Sequence, residues 1–174
     1  AGKTMLAEAF LHFTGATTRL GKIDDGTTIS DNDEEEIRRK LSLYTSILPL
    51  EYRDHKINVL DAPGYTDFVG EMISALSVAD GAVVLVDSVG GVEVGTELAW
   101  RTAMEMSLPR FIIINRMDRD NAGFARTYDA VNEFVHASGG RVVKAQLPIG
   151  EKHDFKGVIE LISMKAYMAD GKTV

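Results

Sequence analysis

Short runs of branched apolar residues alternate with longer stretches of helical period along this chain, and no other feature constrains its fold as much. That alternation implies an α/β fold with a mainly parallel sheet and helices on both faces. Strands are expected at Leu48 to Arg53, Ile57 to Asp61, Ala82 to Asp87, Phe111 to Asn115 and Val142 to Leu147. Only Asp54, His55 and Lys56 separate the first two. A parallel crossover needs far more chain than that, so these two strands should form an antiparallel hairpin at one edge of the sheet. Helices are expected from Lys3 to Phe13, stopped by Gly15, then from Asp67 to Ser77, Thr96 to Ser107 and Ala122 to Ala137. Phe124, Tyr128, Val131 and Val135 recur at helical spacing and read as a core-facing stripe.

Between Gly15 and Thr45 the chain is polar and aperiodic, with an acidic run from Asp33 to Glu36 and a basic run Arg38-Arg39-Lys40. A loop this long is ordinarily functional. Acids first and bases last also suit a short solvated helix, aligned with its dipole.

Composition narrows the chemistry. The chain has no cysteine, which removes disulfides, zinc-thiolate sites and thiol catalysis together. Its net charge of -7 argues against a broad basic surface for nucleic acid. Direct DNA binding is therefore not expected, and any RNA partner should be held mainly by other domains. No apolar run approaches the roughly 18 residues of a membrane-spanning helix, and no signal-like segment opens the chain. A cytoplasmic, monomeric protein without a membrane role is the expectation. The start at Ala1, without an initiator methionine and in what reads as the end of a motif, suggests a fragment.

Three short elements carry candidate chemistry. Ala1-Gly2-Lys3-Thr4, opening a helix, looks like the last half of a phosphate-binding loop. There backbone N–H groups cradle phosphates, lysine neutralises the β and γ oxygens, and the hydroxyl ligates Mg²⁺. A second Gly171-Lys172-Thr173 follows no strand and opens no helical pattern, so it reads as coincidence. Asp61-Ala62-Pro63-Gly64 directly follows the apolar run Ile57 to Leu60. A carboxylate at the carboxyl end of a strand lies where open α/β sheets bind ligands, and it can orient a metal-bound water. Gly64 lets the backbone approach a terminal phosphate. Asn115-Arg116-Met117-Asp118 follows Phe111 to Ile114. The Asp118 carboxylate can accept from N1–H and the exocyclic amine of guanine, a pattern adenine lacks. Asn115 would tie this loop to the phosphate loop, and Arg116 can lie over the base face.

Further residues carry a family resemblance. Asp61 to Phe68, Glu71, Ala79-Asp80-Gly81-Ala82-Val83, Gly91-Val92, Glu97 and Trp100 resemble the central stretch of translational GTPases. Pro109-Arg110, Asn115 to Arg119, Gln146 to Gly150, Phe155, Gly157-Val158-Ile159 and Lys165-Ala166 narrow the resemblance to elongation factor G. It implies a P-loop NTPase fold, incomplete at both ends. Residues 1–146 would be a GTP-binding domain lacking its first strand, and 147–174 the start of the subdomain inserted in that family. Without a central strand, the isolated piece is expected to be poorly stable. The resemblance further implies GTP or GDP and Mg²⁺ as cofactors. The metal would be held by Thr4, Ser42 and, through water, Asp61. The ribosome is the implied partner, contacted mainly through absent domains.

Three departures from the family pattern stand out. The first switch reads Arg39-Lys40-Leu41-Ser42-Leu43, where arginine, glycine, isoleucine, threonine, isoleucine is usual. Ser42 keeps a hydroxyl for the metal. Tyr65 stands where a histidine usually positions the attacking water. A phenol stays protonated at neutral pH, so it can orient a water but not act as a base. Arg116 replaces a lysine. Together these suggest a divergent elongation factor G-like paralogue. Lys3, Gly64 and Tyr65 are the expected catalytic set, and a GTP-binding regulatory module with little hydrolysis is the alternative. A P-loop ATPase or kinase is the other rival, against which Asp118 argues.

Overall fold

A computed structural model describes residues Ala1–Val174. Five helices, α1 (Lys3–Phe13), α2 (Glu34–Arg39), α3 (Val69–Val78), α4 (Val94–Glu105) and α5 (Phe124–Ala137), intersperse with seven strands. The strands are β1 (Ser46–Tyr52), β2 (His55–Asp61), β3 (Ala82–Asp87), β4 (Arg110–Asn115), β5 (Gln146–Ile149), β6 (Gly157–Glu160) and β7 (Lys165–Met168). The α/β class expected from the alternation is the class observed.

By compactness the chain divides into two units, one of Gly2–Val84 with Glu97–Phe111, the other of Ala1, Leu85–Thr96 and Ile112–Val174. In the first unit, β1 and β2 form the expected antiparallel hairpin, in register from Ser46 opposite Asp61 to Tyr52 opposite His55. Its two-residue turn holds Arg53 and Asp54 in the left-handed region, at φ 48° and 63°, as a tight hairpin turn of this type requires. Helix α1 lays Ala7 and Leu11 on Leu48 and Leu50 of β1, with Val59 packed against the cluster.

The stretch from Gly15 to Thr45 is mostly irregular and contains α2. That short helix is fixed by a capping box: Asp33 accepts from the Glu35 N–H at 2.8 Å, and Glu36 accepts from the Asp33 N–H at 3.2 Å. Its acids stand first and its bases last, as the sequence suggested.

Strands β3 and β4 are hydrogen-bonded neighbours. Ala82 N–H reaches Pro109 O and Ser88 N–H reaches Asn115 O, a constant offset along both strands that makes the pair parallel. The hairpin and this pair are separate two-stranded ladders.

In the second unit, α5 buries Thr127, Val131 and Val135. Phe124 and Tyr128, at the start of the same stripe, stack at 6.0 Å and carry the Lys144 ammonium 4.0 Å from the Tyr128 ring. This corrects one strand. Residues 142–145, expected as β, are irregular, because Lys144 turns onto those rings and Val143 is 87% exposed. Pairing begins only at Gln146, opposite Glu160, in an antiparallel sheet ordered β5-β6-β7.

Leu48 and Ile47 are neighbours on β1 but differ in burial, at 2% and 67% exposed. Leu48→Ala is expected to lower the stability of the α1–hairpin unit by roughly 2–5 kcal/mol, and Ile47→Ala by less than about 0.5 kcal/mol. Amide exchange in α1 and β1 measures both.

Candidate functional site

Helix α1 starts after Gly2, which holds φ 88° and ψ 35°, and no side chain caps its first turn. The leading N–H groups of a helix lack intrahelical partners and carry the positive end of the dipole, so this terminus suits an anion. Lys3 and Thr4 stand on that first turn.

Oxygen-bearing side chains drawn from α1, β2 and the long loop meet there. Thr4 Oγ1 lies 3.2 Å from Ser42 Oγ, across 38 residues of sequence. Ser42 donates to Asp31 Oδ1 at 2.6 Å. Ser30 donates to Oδ2 of Asp61, the last residue of β2, also at 2.6 Å. The Lys3 ammonium is half-buried, and burial lowers its pKa against the opposing charges of Asp61 and Asp31. Burial likewise pushes the Asp31 carboxyl up, helped by the negative charges of Glu36, Asp61 and Glu8 and opposed by the Ser42 bond. Gly64 leaves room for the lysine head: a Cβ there would lie 2.5 Å from Lys3 Nζ. Pro63 is buried and Ala62 half-buried between Asp61 and this glycine. Tyr65, next along, is 61% exposed.

Lys3, Thr4, Ser42, Asp61 and Gly64 therefore converge as the sequence suggested, whereas the Tyr65 side chain stands out toward solvent. Ser30, Asp31 and Glu8 escaped the sequence reading. Glu8 had a signal, since it lies one helical turn beyond Thr4 and so shares its face.

The second group, in the other unit, surrounds the end of β4. Asn115 Nδ2 donates to the carbonyl of Ala1 at 3.0 Å. Arg116 takes a left-handed backbone, φ 63°, and its carbonyl accepts from Ser88 Oγ at 2.7 Å. Its guanidinium pairs with Asp87 Oδ2 at 2.8 Å. Burial works to raise the Asp87 pKa, but the Val89 N–H, the Arg116 guanidinium and the Gly90 N–H together hold it below the usual carboxylate range. Met117 is buried, and its carbonyl accepts from the Lys152 N–H at 2.8 Å. Asp118 comes next, exposed, with neither carboxylate oxygen engaged by the protein. Such a carboxylate can accept two parallel N–H donors.

No group of three or more His, Cys, Asp or Glu side chains forms a metal cluster. The donors gathered around Thr4 are instead hydroxyls and single carboxylates. These are hard oxygen ligands of the kind Mg²⁺ takes alongside phosphate and water, so the donor set fits that ion.

A lysine and hydroxyl at an uncapped helix start, a strand-terminal aspartate before a glycine, and an Asn-x-x-Asp turn after a strand define a P-loop GTP-binding domain. Comparison with known proteins carries this further: the family described as "Elongation factor Tu GTP binding domain" matches residues 1–172, and the chain belongs to it. An elongation factor G of Wolbachia pipientis subsp. Culex pipiens is 40% identical over 174 residues, all of this chain and 25% of that protein. A mitochondrial ribosome-releasing factor 2 of Candida albicans is 40% identical over 170 residues, 95% of this chain and 21% of that protein. A crystal structure of a Thermus thermophilus protein superposes with a TM-score of 0.88 at 37% identity, over 99% of this chain and 26% of that one. The resemblance to elongation factor G is thus borne out, and the chain spans a fifth to a quarter of these relatives. No helix is long and apolar enough to cross a membrane.

The acids and lysine around Thr4 make stability depend on pH. With the folded pKa of Asp31 above its ordinary 3.8, the folded chain holds more protons in the window between the two, so stability falls as pH rises through it. The lowered Lys3 value acts at the alkaline end: below 10.5 the folded chain holds fewer protons, and stability rises with pH there. In denaturant titrations, wild type is expected to lose stability relative to Asp31→Asn as pH rises through the acid window. Parallel curves for the two proteins across that window would contradict the assignment.

Proposed function

We propose that this chain binds and hydrolyses GTP as the nucleotide domain of an elongation factor G-type protein, coupling turnover to a ribosomal step in translation elongation. The observation that carries it is the meeting of Thr4 and Ser42 hydroxyls, 3.2 Å apart, beside Lys3 and Asp61 at an uncapped helix start. Residues so distant in sequence converge there on the chemistry that phosphoryl transfer demands, namely positioning and charge stabilisation.

In this reading Gly2 and the first turn of α1, with Ala1 ahead of them, offer N–H groups to the phosphates, and Lys3 neutralises the β and γ oxygens. Thr4 and Ser42 would ligate Mg²⁺, and Asp61 would hold it through water. The ion, when bound, neutralises charge on the β- and γ-phosphate oxygens. Gly64, after Ala62 and Pro63, presents its N–H to the γ-phosphate. Tyr65 orients the attacking water, whose oxygen bonds to the γ-phosphorus as the bond to the bridging oxygen breaks and its proton passes to a γ-phosphate oxygen, leaving GDP and phosphate. Asp118 accepts from the guanine edge, Asn115 secures the loop through Ala1, and the Arg116 stem lines the base face beside Met117. Loss of the γ-phosphate then relaxes the loop bearing Ser42 and the turn bearing Gly64, an order-to-disorder change for other domains to read. Residues 147–174, with their own antiparallel sheet from Gln146 onward, are taken as the start of the inserted subdomain. A cytoplasmic, monomeric protein that meets the ribosome mainly through other domains completes the proposal.

The exposure of Tyr65 favours one second reading, a GTP-binding ribosome-associated module with little hydrolysis.

Two experiments on the intact protein test these roles. Asp118→Asn is expected to move the preference from GTP toward xanthosine triphosphate by at least about tenfold, since the amide can donate to the xanthine oxygen. Retained GTP preference would remove Asp118 from base recognition. Tyr65→His is expected to raise ribosome-stimulated single-turnover hydrolysis by roughly 10²-fold. Equal rates in the two proteins would show that position 65 does not limit turnover.

A further inference from the structure

Glu8 is 1% exposed, the largest side chain so fully buried, and it makes no ion pair. A buried carboxylate without a cation has to be compensated by hydrogen bonds. Both of its oxygens are used, each by a backbone amide of the long loop. Gly21 N–H donates to Oε2 at 3.1 Å and Ile29 N–H to Oε1 at 2.5 Å. One side chain thus closes the segment from Gly21 to Ile29 on itself. That segment is also knit internally, Thr27 N–H to Lys22 O at 3.1 Å and Lys22 N–H to Thr27 Oγ1 at 3.0 Å.

The fit is close. A Cβ on Gly21 would lie 2.5 Å from Glu8 Oε2, 2.6 Å from Thr27 O and 2.8 Å from Thr28 Cα, so the residue meeting the carboxylate has to be glycine. The residues immediately beyond the clamp link it to the site. Ile29 is succeeded at once by Ser30, which holds Asp61, and by Asp31, which holds Ser42 against Thr4. Glu8 itself stands one helical turn beyond Thr4 on α1, on the same face.

We infer that Glu8 is a positioning residue that ties the root of the Ser30–Ser42 segment to the helix bearing Lys3 and Thr4, keeping the Ser42 hydroxyl beside that of Thr4. It touches neither nucleotide nor metal, and acts through the two loop amides. Movement of the loop is confined to the part beyond Ile29, because the part before it is anchored to the same helix as the phosphate-binding residues. The inference rests on the nucleotide reading for its functional consequence, while the clamp itself is independent of any ligand.

Glu8→Gln replaces one acceptor oxygen by an amide that faces a donor. Gly21→Ala sets a Cβ against the carboxylate and against the Thr27 and Thr28 backbone, and leaves the carboxylate itself and the α1 packing face in place. In the intact protein both variants are expected to lose deuterium-exchange protection over residues 21–29 without nucleotide. Both are also expected to raise the Mg²⁺ concentration for half-maximal GTP binding roughly tenfold, the order seen when supports of metal ligands are removed. GTP binding should recover at high Mg²⁺, which a general loss of folding would not allow. Unchanged protection in both variants overturns the clamp. Lost protection with an unchanged Mg²⁺ requirement overturns its positioning role. Failure of wild type to bind GTP would instead remove the reading of the site, with the exchange data still deciding the clamp.

Discussion

The whole corner around Lys3 and Thr4 depends on the burial of one helix face against a hairpin. Ala7 and Leu11 of α1 sit on Leu48 and Leu50, and that apolar contact sets where the helix begins relative to where β2 ends. Because β2 is paired with β1 along its whole length, its final residue, Asp61, is held rather than frayed. Lys3 and Thr4 are on the first turn of the same helix, so apolar contacts further along it fix their position. Chemistry at this site is a by-product of packing, as is usual where a rigid scaffold carries functional loops.

The loop after β4 relies on polar burial instead. Ser88 is completely buried, donates through its hydroxyl to Arg116 O, and offers its own carbonyl to Thr127 Oγ1 at 3.0 Å. A buried polar group left unpaired costs roughly 1–3 kcal/mol, so each of these bonds constrains its neighbours. Arg116 accordingly keeps a left-handed backbone, an uncommon conformation for a residue with a Cβ. The Lys152 amide, bonded to Met117 O, adds a brace from chain well beyond the motif.

Much of this was legible in the sequence, for a physical reason. The hairpin, α1 with both its ends, and β3 are set by local period and by the length of a connection, and these emerge as the residues suggest. The pairing of acids and bases in α2 is also local, four residues apart at most. The strand expected over Val142 to Leu147 begins only at Gln146, because β propensity alone does not make a strand. Lys144 found two aromatic rings, and beyond Gln146 the last bond to the partner is from the Leu161 N–H to the Ala145 carbonyl. In the site, the residues whose placement could be anticipated are those at an element end: Lys3, Thr4, Asp61, Asn115. Ser30 and Asp31 remained hidden in an aperiodic stretch, because their meaning lies in contacts that skip 31 and 11 positions. No window along the chain contains that information.

The imbalance of charge around Thr4 carries one more consequence. Asp31 feels Glu36, Asp61 and Glu8 as like charges, and Lys3 is the cation set among them. A bare polyphosphate approaching this corner meets an anionic surplus, since the lysine is already shared by two acids. A cation brought to this corner would relieve that surplus, and a further anion would add to it.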